Sequence, residues 1–169
     1  LPGSGKSTVA RAVAPHLGAV VLDKDVIKAA LLYAGVPEER AGPAAYDVYF
    51  AQADDLVSQG HYVILDNPVF WPRVEENWHQ LCERAGSPRL LIECICSNEA
   101  ERARRLTSRP ALESQPQTPF EPRRASPGFE PGGARLVLDT RRPLAVLVGE
   151  ALAYIHALSQ HSVPGVMHG

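Results

Sequence analysis

Eight residues at the start of the chain, Leu1-Pro2-Gly3-Ser4-Gly5-Lys6-Ser7-Thr8, combine the groups that hold a polyphosphate. They fit the end of the pattern G-x-x-x-x-G-K-[ST], with Gly5, Lys6 and Ser7 in its last three fixed positions. Glycine lets the backbone turn successive N–H groups onto phosphate oxygens. A helix starting at the loop adds the positive end of its dipole to the same anion. Gly3, Ser4, Gly5, Lys6, Ser7 and Thr8 are therefore the candidate nucleotide-binding residues. Lys6 would bridge the β- and γ-phosphates, and Ser7 would offer its hydroxyl to a divalent cation.

Two acidic segments follow. Leu22-Asp23-Lys24-Asp25-Val26-Ile27-Lys28 closes an apolar run on two carboxylates. Asp25 could take the proton of an attacking hydroxyl, or it could only cap the helix it opens. Lys28, three residues on, shares that helix face and could hold an anionic substrate. Asp23 reads as structural or as an outer partner of a metal. Val63-Ile64-Leu65-Asp66-Asn67 ends a second apolar run on an acid. Asp66 would hold Mg²⁺, directly or through water, or simply form the strand-end turn. Further on, Arg105 and Arg109 lie four apart. Aimed at the phosphates they would stabilise transition-state charge; otherwise they belong to a solvated basic face. Phe70 and Trp71 either line an acceptor pocket or sit in the core.

These groups need elements to carry them. The runs Ala19–Asp23, Tyr62–Asp66, Arg89–Cys96 and Ala134–Asp139 are continuously apolar, as strands buried on both faces of a parallel sheet are. Val9, Val13 and Leu17 mark a helix ended by Gly18; Ile27, Ala30, Leu31 and Ala34 mark a second, closed by Gly35 and Pro37. A third helix is expected from about residue 44 to residue 58, and a fourth after Pro72. Leu144, Leu147, Val148, Ala151, Leu152, Ile155 and Leu158 form the clearest amphipathic stripe. Alternating strands and helices predict an α/β fold with a parallel sheet. A phosphate loop is fed by a strand, so a central first strand is expected upstream of Leu1. Residues 109–133 hold six prolines, which exclude a long regular element and leave a disordered insertion or a mobile lid. The domain is expected over residues 1–160, with 161–169 as a tail.

The 169 residues suit one domain with a real core. The net charge of −2 supplies no global positive field toward nucleic acid or anionic membrane. No apolar run approaches the roughly 20 residues that cross a bilayer. Cys82, Cys94 and Cys96 are odd in number and widely spaced, which argues for buried thiols in a reducing compartment, and the cytoplasm is the expected location. No guanine-reading N-K-x-D and no L-S-G-G-Q-like stretch is present, which leaves phosphoryl transfer as the favoured chemistry.

Taken in order, P-G-S-G-K-S-T, L-D-K-D-V-I-K, V-I-L-D-N and R-R-L-T-S-R resemble the small P-loop kinases of the polynucleotide-kinase, zeta-toxin and chloramphenicol-phosphotransferase group. The resemblance runs from Leu1 to about Leu158. It implies a parallel sheet of five strands in a three-layer sandwich, ATP and Mg²⁺ as cofactors, and Asp25 as general base. Arg105 and Arg109 match the lid arginines by position. Lys28 stands where the polynucleotide kinases carry arginine, which changes the acceptor contact. The proline-rich stretch has no counterpart in the pattern. The resulting expectation is a kinase acting on a hydroxyl of a small-molecule or nucleotide-type acceptor, with long nucleic acid disfavoured. An ATPase without acceptor and an inactive remnant are the competing readings.

Overall fold

Short runs rich in valine, isoleucine and leucine form four strands among the described residues, each closely bounded by turn formers. The computed structural model describes residues 1–68, 71–108, 112 and 132–159. The element order is α1 Lys6–Leu17, β1 Val20–Asp23, α2 Lys24–Tyr33, α3 Glu38–Ser58, β2 Val63–Asp66, α4 Pro72–Arg84, β3 Leu90–Ile95, α5 Glu99–Ser108, β4 Ala134–Asp139 and α6 Leu144–Ser159. β1 pairs with β2 and β3 with β4, both parallel. The register sets Asp23 opposite Asp66 and Ile95 opposite Asp139. The fold is the expected α/β arrangement. The expected upstream strand lies outside the described residues, as do Phe70, Arg109, nearly all of the stretch before Gly132, and the tail.

One core joins the two strand pairs. Val9 and Val13 of α1 pack with Cys94 of β3, Leu138 of β4, and Leu147 and Ala151 of α6. Ile64, Ile92, Leu136, Val148, Leu152 and Ile155 pack around them. Of the stripe expected on α6, Leu147, Val148, Ala151, Leu152 and Ile155 meet this core, whereas Leu144 at its start is exposed. Truncating Leu138 or Leu147 to alanine would cost about 2–5 kcal/mol. Gly18 ends α1 at φ 59° and donates its N–H to the Ala14 carbonyl.

Two expectations are corrected. α3 starts at Glu38, ahead of the expected residue 44, and Pro43 lies inside it. Pro43 removes one backbone donor. The helix tolerates this because Ala41, Ala45, Tyr49 and Ala53, spaced four apart, are all buried along one face. β4 is not buried on both faces: Arg135 and Val137 are exposed, while Leu138 is buried. The strand's sequence is apolar enough for burial on both sides, but the packed helices α1 and α6 cover one.

Cys94 and Cys96 are buried free thiols, and Cys82 is half-buried. Among the described residues no helix is long and apolar enough to cross a membrane.

Candidate functional site

The loop before α1 is built on two left-handed glycines. Gly3 has φ 74° and Gly5 φ 85°. A Cβ on Gly3 would lie 2.8 Å from the Arg102 carbonyl oxygen, and one on Gly5 would lie 3.1 Å from the Thr140 side chain. Both positions therefore need glycine twice over, for the backbone angle and for the close approach. The Ser4 N–H closes the turn on the Leu1 carbonyl at 3.2 Å. Gly5 is the N-cap of α1, no side chain caps that end, and its first turn holds no acid. The helix end keeps its donors and its positive potential for a ligand. Lys6 reaches back across the loop and donates to the Leu1 carbonyl at 3.3 Å. Thr8 is exposed on the first turn.

The parallel register brings the acids to this loop. β1 and β2 end side by side, which sets Asp23 and Asp66 at one level. Asp66 is 7% exposed, and its Oδ2 has no hydrogen-bond partner. Burial pushes its pKa up; a hydrogen bond from the Ser7 side chain and the Lys6 charge pull it down, while Asp23 and Asp25 push it up again. Lys6, Ser7, Asp23, Asp25 and Asp66 thus share one electrostatic neighbourhood at the strand C-termini, where open α/β sheets bind ligands.

The two acids of L-D-K-D divide their work. Asp23 Oδ1 accepts the Asp25 N–H at 3.0 Å and caps α2, and its Oδ2 meets Arg11 at 3.0 Å. Asp25 is therefore excused from capping. Its carboxylate lies 2.5 Å from Lys24 Nζ, and Lys24 stacks over the Tyr46 ring at 5.7 Å. Burial, then the Asp25 charge, pushes the Tyr46 hydroxyl up to about 12. Lys28 turns to Glu38 at 2.6 Å and ties α2 to α3, so its charge is already matched.

Arg105, expected to aim at the phosphates, bonds within the fold here. Its guanidinium donates to Glu101 at 2.8 Å, to the Thr140 hydroxyl at 2.9 Å and to the Thr140 carbonyl at 3.0 Å. The Thr140 hydroxyl in turn lies 2.9 Å from the Ser4 carbonyl, within the loop. Asn98 caps α5 through the Glu101 N–H at 3.0 Å. Trp71 is half-exposed at the N-cap of α4, and Arg73 beside it pairs with Asp47. Thr140, Tyr46 and the buried Tyr49 were not singled out from the sequence. Thr140 was reachable, because it follows a strand ending in Leu138-Asp139, the same ending as Leu22-Asp23 and Leu65-Asp66.

Among the described residues no three His, Cys, Asp or Glu side chains gather as a metal cluster. One carboxylate and one hydroxyl beside a phosphate loop are the usual protein share of a magnesium site, the rest coming from substrate phosphates and water. The partnerless Oδ2 of Asp66 beside Ser7 fits that share. A separate open groove of about 340 Å³ runs past Arg11, Val21, Asp23, Ile27 and Gln52; Lys6, Ser7, Asp25 and Asp66 do not line it.

The fold recurs in solved kinase structures. An inferred kinase of Chloroflexus aurantiacus superposes with a TM-score of 0.67 at 20% identity, over 93% of this chain and 92% of that one. A sugar kinase of Janibacter gives 0.62 at 20% identity, over 98% and 95% of the two chains. A gluconokinase of Sinorhizobium meliloti gives 0.53 at 22% identity, over 94% and 89%. No curated protein matches the sequence. The profile of the family described as AAA domain matches residues 1–122, which contain the loop, both acidic strand ends and α5, and the chain belongs to that family.

Proposed function

We propose that the protein is a phosphotransferase that moves the γ-phosphate of ATP to a hydroxyl of a small acceptor. The observation that carries this reading is the division between two acids: Asp23 caps α2, so Asp25 stands at the same strand end without that duty, and its charge acts on the same Asp66 carboxylate that Lys6 and Ser7 reach. A nucleotide hydrolase needs a water-positioning group; a carboxylate set beside the anion loop on a helix start suits removal of a proton from an acceptor hydroxyl.

In that reading the loop N–H groups and Lys6 hold the β- and γ-phosphates. Ser7 and Asp66 would hold Mg²⁺, which supplies positive charge to the phosphate oxygens when bound. The acceptor oxygen forms a bond to the γ-phosphorus, the bond from that phosphorus to the β-bridging oxygen breaks, ADP leaves, and the acceptor proton passes to Asp25. Lys28, paired with Glu38, would contact an anionic acceptor only by exchanging that partner. Lys24 and Tyr46 flank Asp25 and would shape the acceptor side. The likeness to a sugar kinase and a gluconokinase supports a small polyhydroxylated acceptor over a nucleic-acid end.

The test is transfer of labelled γ-phosphate from ATP to a panel of sugars, sugar acids and polyols. Asp25→Asn should lower kcat by about 10²–10⁴-fold, the usual worth of a general base, with nucleotide affinity kept. Full transfer by that variant would remove Asp25 from the reaction. ATP turnover indifferent to every acceptor would favour a hydrolase.

A further inference from the structure

We propose that Thr140 is a positioning residue of the phosphate loop, holding the Ser4–Gly5 peptide in its anion-binding orientation under the direction of Arg105. The inference rests on the reading that this loop binds nucleotide phosphate.

The argument is a count of protons. The Thr140 hydroxyl has one proton and stands near three partners: Arg105 Nη1 at 2.9 Å, the Ser4 carbonyl at 2.9 Å and the Ile95 carbonyl at 3.1 Å. A guanidinium only donates, so Arg105 occupies a lone pair of the hydroxyl, and the hydroxyl proton must go to a carbonyl. The Ile95 carbonyl already accepts the Thr140 backbone N–H at 2.9 Å. The Ser4 carbonyl is the nearer of the two and, in this network, the one without that second donor. Arg105 thus turns Thr140 into a donor aimed at the loop. A second bond, from Arg105 Nη2 to the Thr140 carbonyl at 3.0 Å, and the Glu101 carboxylate at 2.8 Å fix the guanidinium itself.

The consequence follows from peptide planarity. The Ser4 carbonyl and the Gly5 N–H belong to one rigid unit and point in opposite directions. Pinning the carbonyl on Thr140 sends the Gly5 N–H the other way. Gly5, at φ 85°, has no side chain to resist a peptide flip, and a flip would present a carbonyl where the loop needs a donor. Thr140 also packs the loop sterically, because a Cβ on Gly5 would meet its Cβ and Cγ2 at 3.1 Å. The device joins three segments distant in sequence: the loop, the helix α5 and the end of β4.

The experiment measures binding of a non-hydrolysable ATP analogue with Mg²⁺ by calorimetry, on the full chain, with the unliganded melting temperature alongside. Thr140→Val keeps the shape and deletes the hydroxyl; it should weaken binding about tenfold, the worth of one hydrogen bond. Thr140→Ser should return to within about twofold of wild type, which a packing role would not produce. Arg105→Ala should weaken binding to a similar degree, and Arg105→Ala added to Thr140→Val should cost little more, because the arginine acts through the threonine. Wild-type affinity in Thr140→Val would overturn the proposal. So would a full further loss from Arg105→Ala in that background, which would place the arginine on the phosphates directly. If Thr140→Val did not fold, Arg105→Ala and Thr140→Ser would carry the same comparison. A wild type that bound no nucleotide would remove the functional reading itself, whereas equal binding by wild type and Thr140→Val would remove only this inference.

Discussion

Asp23 accepts the backbone N–H of Asp25 at 3.0 Å, so one acid of the L-D-K-D segment holds the helix while the carboxylate of the other pairs with Lys24. The two should therefore respond differently to substitution. Asp23→Ala removes the cap of α2 and the partner of Arg11, and should lower stability by about 0.5–2 kcal/mol in chemical denaturation. Asp25→Asn should leave the unfolding midpoint near wild type while phosphoryl transfer collapses. The reverse pattern would exchange their roles.

Asp66, the carboxylate proposed to hold Mg²⁺, works against folding. Its carboxylate is buried, one oxygen lacks a partner, and burial raises its pKa. A carboxyl group whose folded pKa lies above its unfolded value costs stability once it is ionised, that is, at neutral pH. Asp66→Asn removes that charge. In metal-free buffer at pH 7 it should raise the melting temperature by a few degrees, consistent with about 1 kcal/mol in a chain of this size. It should also weaken Mg²⁺-dependent nucleotide binding, which titration of the analogue with and without the ion would read.

Gly3 tolerates no side chain. Gly3→Ala places a methyl group 2.8 Å from the Arg102 carbonyl oxygen at φ 74°. The neighbour is backbone and cannot swing aside. The expected loss is about 1–3 kcal/mol by urea denaturation, with nucleotide affinity falling as the loop shifts. Gly18→Ala provides the comparison: φ is 59°, but a Cβ there meets nothing within 4 Å, so the loss should be confined to about 1 kcal/mol.

Glu101 ties Arg104 and Arg105 on α5. Hydrogen bonds from Arg104, then Arg105, hold its pKa down from 4.5 to about 2. A depressed carboxylate stabilises the fold above its unfolded pKa and loses that contribution as the pH falls through its folded one. The wild type should therefore melt above Glu101→Gln at pH 7, and the difference should close between about pH 4.5 and pH 2. A gap that persisted at pH 2 would mean that the glutamine disturbs α5 by some other route.

Local chemistry made much of this molecule readable in advance. Runs such as Val63–Asp66 and Ala134–Asp139 became strands with nearly the expected ends, because continuous apolar segments between turn formers have few alternatives. The glycine loop ahead of α1 and the stripe on α6 followed the same logic. The expected start of α3 fell just after Pro43, but the burial of four residues along one face outweighs its missing donor and carries the helix back to Glu38. At the site, sequence alone nominated Lys6, Ser7, Asp25 and Asp66 by residue type and place after a strand.

Residue order could not tell whether Asp25 caps α2, since both acids of the segment are chemically able to; the path of the chain at the end of β1 gives the cap to Asp23. Nor could it pair Arg105 with Thr140, because those two meet only when α5 folds back beside β4. Most elements and the side chains able to do chemistry were legible from the residues alone, since both depend on neighbours a few positions away. Which acid is buried beside Ser7, which caps a helix, and which threonine bonds to the loop emerge only in the folded chain, since they depend on strand register and on contacts between distant segments.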